Sequence, residues 1–120
     1  MKKVMPQEIE VWYLIPALRR ELTLALINTG MKQKEAAESL GITEAAVSQY
    51  IKAKRAQEVK FSKKELSEIK LAAKHIKIDP NTTMKHIIDL TNEFKGSKAV
   101  CDIHRKQDPS IPKKCDLCMK

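Results

Sequence analysis

QKEAAESLGITEAAVSQYIK, residues 33–52, holds the pattern that decides the fold. Two helices that cross steeply through a tight turn need particular residue types at fixed spacing. A small residue is required where the helices approach, and Ala37 supplies it. The turn needs a positive backbone angle, and Gly41 follows four residues later. Apolar side chains must fill the angle between the helices; Leu40, Ile42, Val47 and Ile51 fall at those places. Thr43 can cap the second helix, because its hydroxyl can accept from an amide of the first turn. The window therefore predicts a helix-turn-helix.

Working outward, glycine and proline punctuate the chain. A short helix is expected over residues 7–14 and a second over 16–28, with Pro16 in a first turn and its ring disfavouring helix at Ile15. Leu18, Leu22, Ala25 and Leu26 face the core, while Arg19, Arg20 and Glu21 face solvent. Gly30 and Gly96 are expected as left-handed helix ends. Ser62 with Glu65 forms a capping box, so a helix runs from there to about Ile76 with Leu66, Ile69, Ala73 and Ile76 as its stripe. Asp79, Pro80 and Asn81 interrupt it. A further helix over 82–95 carries Met84, Ile87, Ile88, Thr91 and Phe94 on one side. Strand alternation and internal repeats are lacking. The expectation is an all-α protein of five to six helices, divided into residues 1–61 (helix-turn-helix DNA-binding domain), 62–96 (a helical extension whose apolar stripes serve dimerisation or only complete the monomer core) and 97–120 (a Cys/His metal-binding tail).

Composition agrees. The 120 residues carry 23 Lys and Arg against 15 Asp and Glu, a net charge of +8. Such an excess fits a polyanionic partner, since phosphate binding is driven largely by counterion release. Its distribution is more telling. Lys52, Lys54, Arg55, Lys60, Lys63 and Lys64 face only Glu58, and the cluster begins where the second helix ends. With only five aromatic side chains, the core must come from Ile, Leu, Val and Ala. No apolar run approaches the ~20 residues of a membrane span, and no cleavable leader follows the basic start. A cytoplasmic location without membrane contact is expected.

Once the buried set of the second helix is removed, Glu44, Ala45, Ser48, Gln49 and Lys52 remain outside. Gln can bond adenine edges, Ser can bond bases or phosphates, and Ala can touch a thymine methyl. Double-stranded DNA is the expected partner. Nucleophile–base pairs, Gly-rich phosphate loops and paired carboxylates in a pocket are missing, so neither an enzyme nor a small-molecule substrate is expected.

Pro16-Ala-Leu-Arg, Gln33-Lys-Glu-Ala-Ala, Leu40-Gly-Ile-Thr and Ala46-Val-Ser-Gln-Tyr-Ile followed by Lys54-Arg55 resemble the Cro/repressor-like (XRE) superfamily. The resemblance is closer to small archaeal transcriptional regulators of that class. It covers the first half strongly and the cysteine tail more loosely. It implies a DNA-binding domain, generally a homodimer, reading a palindromic operator. On this resemblance Gln33 and Thr43 contact phosphate or the edge of the site, and Glu44, Ala45, Ser48 and Gln49 face bases. Glu44 can instead support its own helix amino terminus. Lys52, Lys54, Arg55 and Lys60 hold the phosphate backbone.

The tail reads Cys101-Asp-Ile-His104, ten residues, then Cys115-Asp-Leu-Cys118. Two pairs with two-residue spacers joined by a loop suit a tetrahedral metal site. Zinc would staple a tail too short to bury a core; an iron–sulfur cluster would make it a sensor of redox or iron state. A metal-free Cys115–Cys118 thiol pair is a third reading. His75 and His86 have no partner at ligand spacing and are expected at the surface or an interface. A rival function stays open: a non-catalytic protein- or RNA-interaction module stapled by structural zinc.

Overall fold

A single helical rod runs from Pro6 to Asn28, although Pro16 lies within it. The computed structural model describes residues 3–52 and 56–111. The rod comprises α1 (Pro6–Ile9), a π turn (Glu10–Leu14) and α2 (Ile15–Asn28). Proline lacks an amide hydrogen, and in an α-helix its ring collides with the carbonyl four residues back, at a cost of ~3 kcal/mol. The π turn widens the spiral here, and the Ile15 amide donates to the Glu10 carbonyl, five residues back. Ile15 keeps helical angles, φ −61° and ψ −46°. The expected break before Pro16 is thus replaced by a local widening. Burial explains why. Ile9, Leu14 and Leu18 are all enclosed in the core, and each such side chain is worth about 1.5–3 kcal/mol. Together they outweigh one misplaced proline.

Leu18, Leu22 and Leu26 form the buried face of α2, as expected, with Ala17 and Thr23 beside them. The Thr23 hydroxyl is satisfied by donating to the Arg19 carbonyl at 2.7 Å. Arg20 and Glu21 are not turned fully to solvent; they are half-buried and paired at 2.8 Å. The helix ends at Gly30, whose φ of +96° is in the left-handed region. There the Gly30 amide donates to Ile27 and the Met31 amide to Leu26, closing the last turn.

Next come α3 (Gln33–Leu40) and α4 (Glu44–Ile51), then α5 (Lys63–Ile78), a 3-10 turn (Pro80–Thr82), α6 (Thr83–Phe94) and α7 (Lys98–Gln107). Six helical rods and no strand are found among the described residues, so the fold is all-α. The long α2 packs against α3, α4, α5 and α6, and α1 touches α7. Buried residues from Val4 to Val100 belong to one core cluster. Among the described residues, no helix is long and apolar enough to cross a membrane.

The capping box at α5 forms as expected: the Glu65 amide donates to Ser62 Oγ at 3.2 Å, and the Ser62 amide to Glu65 Oε1 at 2.8 Å. Ile69, Ala73 and Ile76 are buried, joined by Ala72, and Leu66 packs half-buried against them. In α6 the expected stripe is rotated. Leu90 joins Thr91 and Phe94 in the core, whereas Met84 and Ile88 stay exposed at 74% and 52%. At the start of α6, the Thr83 hydroxyl shares its one hydrogen between the Ser39 carbonyl of α3 at 2.7 Å and the Pro80 carbonyl at 2.9 Å, which ties the first turn of α6 to α3. Gly96 is not among the left-handed glycines. Ser97 already serves as N-cap of α7, and its amide closes a turn onto the Phe94 carbonyl at 2.9 Å.

His75 and His86, distant in sequence, meet across α5 and α6 with ring centroids 5.5 Å apart. Partial burial, then Lys85 and His75 nearby, hold the His86 imidazole below its ordinary value of 6.5. The folded chain therefore takes this proton less readily than the unfolded chain does. Stability contributed by neutral His86 is present above pH 6.5 and falls as the solution is acidified through that value. Urea midpoints measured on either side of it should show this slope, and His86→Gln should flatten it; an unchanged slope would remove His86 as its source.

Candidate functional site

The corner between α3 and α4 is built from backbone first. Gly41 takes φ +68° and ψ +34°, the left-handed conformation that glycine adopts without strain. Its amide reaches Glu38 at 3.3 Å, and the Ile42 amide reaches back to Ala37 at 3.0 Å. This pairing satisfies carbonyls that the helix end would leave unpaired. Thr43 then leaves the turn in extended conformation, and its Oγ accepts from the Ala46 amide at 3.0 Å. Three residues thus end one helix and start the next.

Side chains fix the angle. Ala36, Ala37 and Leu40 of α3 are buried, as are Ala46, Val47 and Tyr50 of α4. Ile42 packs half-buried against the core. Ile51 does not plug the corner; it is 40% exposed, and Tyr50 turns inward at 3%. The aromatic ring fills volume that an isoleucine one residue later cannot reach. Helical spacing carried the signal: Tyr50 follows Ala46 by four residues and Val47 by three, which places all three on one face.

The opposite face of α4 carries the predicted contacts. Glu44, Ala45, Gln49 and Lys52 are exposed, and Ser48 is half-buried beside them. Gln33, first residue of α3, and the cap residue Thr43 are exposed on the same corner. Lys60, Lys63 and Lys64 are exposed beyond it. Lys54 and Arg55, also predicted contacts, lie outside the described residues.

The predicted metal ligands divide the same way. Cys115 and Cys118 lie outside the described residues. Cys101 and His104 sit one turn apart on α7, positions that share a helix face. Cys101 is half-buried and His104 buried. His104 Nε2 meets the Val4 carbonyl oxygen, a bond spanning most of the chain. A carbonyl can only accept, so Nε2 donates to it. That arrangement suits a ligand, because metal-binding histidines commonly donate their second ring nitrogen to a carbonyl or carboxylate. Among the described residues, no three His, Cys, Asp or Glu side chains converge as a metal site.

One residue at this place was not singled out from the sequence. Asp108, only 2% exposed, accepts from the Val4 amide at 2.9 Å through Oδ2. Its other oxygen takes the Ser110 hydroxyl and amide. The Ser110 hydroxyl and the Val4 amide hold this carboxyl below the usual carboxylate range. Asp-Pro-Ser is a recognisable side-chain-to-backbone turn sequence. Nothing in it announces a partner at the other end of the chain.

The chain was compared with protein-family models, curated proteins and solved structures, and none of them matches it.

Two substitutions test the corner. An added Cβ at Gly41 meets nothing within 4 Å, so Gly41→Ala should cost only backbone strain, about 1–2 kcal/mol. Thr43→Ala should cost about 1 kcal/mol, and Thr43→Ser should restore most of it. Urea unfolding with an unchanged slope would measure both; a Gly41→Ala protein of full stability would refute the dependence on a left-handed turn.

Proposed function

We propose that residues 33–52 are the helix-turn-helix of a sequence-specific transcriptional regulator that binds double-stranded DNA as a homodimer. The observation carrying this reading is the division of α4. Val47 and Tyr50 are locked inward, while Ala45, Gln49 and Lys52 point out with Ser48 at their edge. In this reading α4 enters the major groove, where Gln49 and Ser48 bond base edges and Ala45 meets a thymine methyl. Glu44 accepts from cytosine or supports the helix terminus. Gln33, Thr43, Lys52, Lys54, Arg55 and Lys60 hold phosphates, fixing register without reading sequence.

An eight-residue recognition helix covers too few base pairs to select one genomic site, so a second copy is required. The exposed Met84 and Ile88 on α6 and Leu71 on α5 supply apolar surface for that pairing. Half-sites would then lie ~10 base pairs apart, or a multiple, in a palindrome. Repression follows in this scheme from occupancy of the operator. Cys101, His104, Cys115 and Cys118 hold zinc or an iron–sulfur cluster, which staples the tail or senses redox or iron state.

Selection from random duplex DNA at fixed salt tests the first part. The wild-type chain should enrich a palindrome, and Ser48→Ala with Gln49→Ala should abolish the preference while the fold persists. Lys52→Ala should weaken all sequences alike and lower the salt slope by about 1. Binding indifferent to sequence would favour the rival protein- or RNA-interaction module.

The tail is tested by elemental analysis and an absorption spectrum of protein purified without oxygen. Brown protein with iron and sulfide supports a cluster, and colourless protein with zinc supports a staple. In the sensing scheme, stripping the metal repositions the tail, alters dimer geometry and thereby changes operator affinity. Unchanged affinity would end that scheme.

A further inference from the structure

Lys63, Ser67, Lys70, Lys74 and Lys77 recur at helical spacing along α5, and all five are exposed. This row carries four positive charges and no negative one. No Asp or Glu stands three or four residues from any of its lysines, the spacing at which helix ion pairs form. Glu65 of the same helix is held in the capping box with Ser62, and Glu68 lines the groove toward α6 with Glu93. Lysines on the neighbouring helices are treated differently. Lys85 pairs with Asp89 at 3.0 Å and Lys98 with Asp102 at 2.8 Å, each four residues on. Among the described residues, none of the α5 lysines has an ion pair. Lys70 and Lys74, four apart, and Lys74 and Lys77, three apart, instead repel one another and weaken the helix.

A helix face that serves only solubility mixes both signs of charge and gains from the pairs. A row of one sign does the reverse, and a polyanion laid along it removes the repulsion. The ends of the row point to which polyanion. Lys63 lies three residues past Lys60. At the other end Lys77 Nζ donates to the Thr29 carbonyl at 3.2 Å, four residues ahead of Gln33. Lys60 and Gln33 are both proposed phosphate contacts of the helix-turn-helix. Lys63 and Lys77 are ~21 Å apart along the helix axis, the length of about six base pairs. We propose that the lysine row of α5 is a second duplex-DNA surface, which binds phosphate backbone beside the segment taken by α4. It rests on the DNA-binding reading and adds affinity without sequence preference, since phosphate contacts carry no base information. Lysine suits this task as a mobile point charge that needs no fixed geometry.

The test combines Lys70→Gln with Lys74→Gln in the full-length chain and leaves Lys77, which is bonded to Thr29, in place. Both sites are exposed and a repulsion is removed, so the urea midpoint should equal or exceed that of the wild type. Labelled duplexes, one random and one carrying the selected palindrome, are titrated between about 50 and 200 mM salt. The double variant should lower the salt slope by about 2 on both duplexes. Affinity should fall by the same factor for each, so that their ratio is kept. Lys85→Gln with Lys98→Gln removes the same charge from α6 and α7 and should leave the slope unchanged. An unaltered slope in the α5 variant, or an equal fall in the α6 and α7 variant, overturns the proposal. So does an α5 variant that loses only binding to vesicles containing about one-third phosphatidylserine, which assigns the row to a membrane surface. A wild-type chain that binds duplexes without preference, yet loses slope with Lys70 and Lys74, defeats the sequence-specific reading and leaves this one standing. A wild-type chain that binds no duplex overturns both.

Discussion

Everything about α4 depends on one backbone event, the left-handed residue at Gly41. A helix that ended elsewhere, or ended frayed, would not deliver Thr43 to its capping position. With Gly41 in place, the Ala37 and Glu38 carbonyls receive hydrogen bonds from the turn, and Thr43, two residues after Gly41, caps α4 by accepting from the Ala46 amide. Two helices of eight residues each result. Neither is long enough to persist alone in water, where ~12–15 residues are marginal. Their stability comes from packing on α2 and on each other: Ala36 and Leu40 join the core cluster with α2, and Val47 and Tyr50 are buried as well.

Local rules read this region well because the signals there are short-range. Gly30, Gly41, Thr43 and the Ser62–Glu65 box each act within a few residues of themselves. They were legible for that reason. Pro16 was misleading because its local cost is overruled by burial of Ile9, Leu14 and Leu18, which no window around the proline weighs. Met84 and Ile88 misled for a related reason. They satisfy helical spacing, yet the hydroxyl of Thr83 bonds to the Ser39 carbonyl in another element and ties the first turn of α6 to α3. Tyr50 and Ile51 illustrate a finer limit: adjacent apolar residues compete for one interior place, and spacing from Val47 decides it.

The candidate metal centre shows the opposite regime. Cysteine and histidine spacing suggests a ligand set, but it carries no sign of the bond that holds His104 to the other end of the chain. Val4 is separated from His104 and Asp108 by most of the chain, and a single valine amide carries no motif. The pairing is a product of the tertiary fold, through the contact of α1 with α7. Long-range polar contacts of this sort are invisible to any periodicity.

The two regions also differ in how their buried and exposed side chains are divided. On α4 the residues that hold the fold and those that face outward are disjoint sets. Gln49, Ala45 and Lys52 can change while Val47 and Tyr50 keep the corner intact, so substitutions on the outer face cost the fold little. At α7 the same side chain serves both ends. His104 is buried, bonded to Val4, and a candidate ligand at once. Substituting it leaves the buried Val4 carbonyl without that bond. An outer face of α4 that carries little of the fold thus contrasts with an end of α7 whose buried polar side chains are tied to the amino-terminal segment.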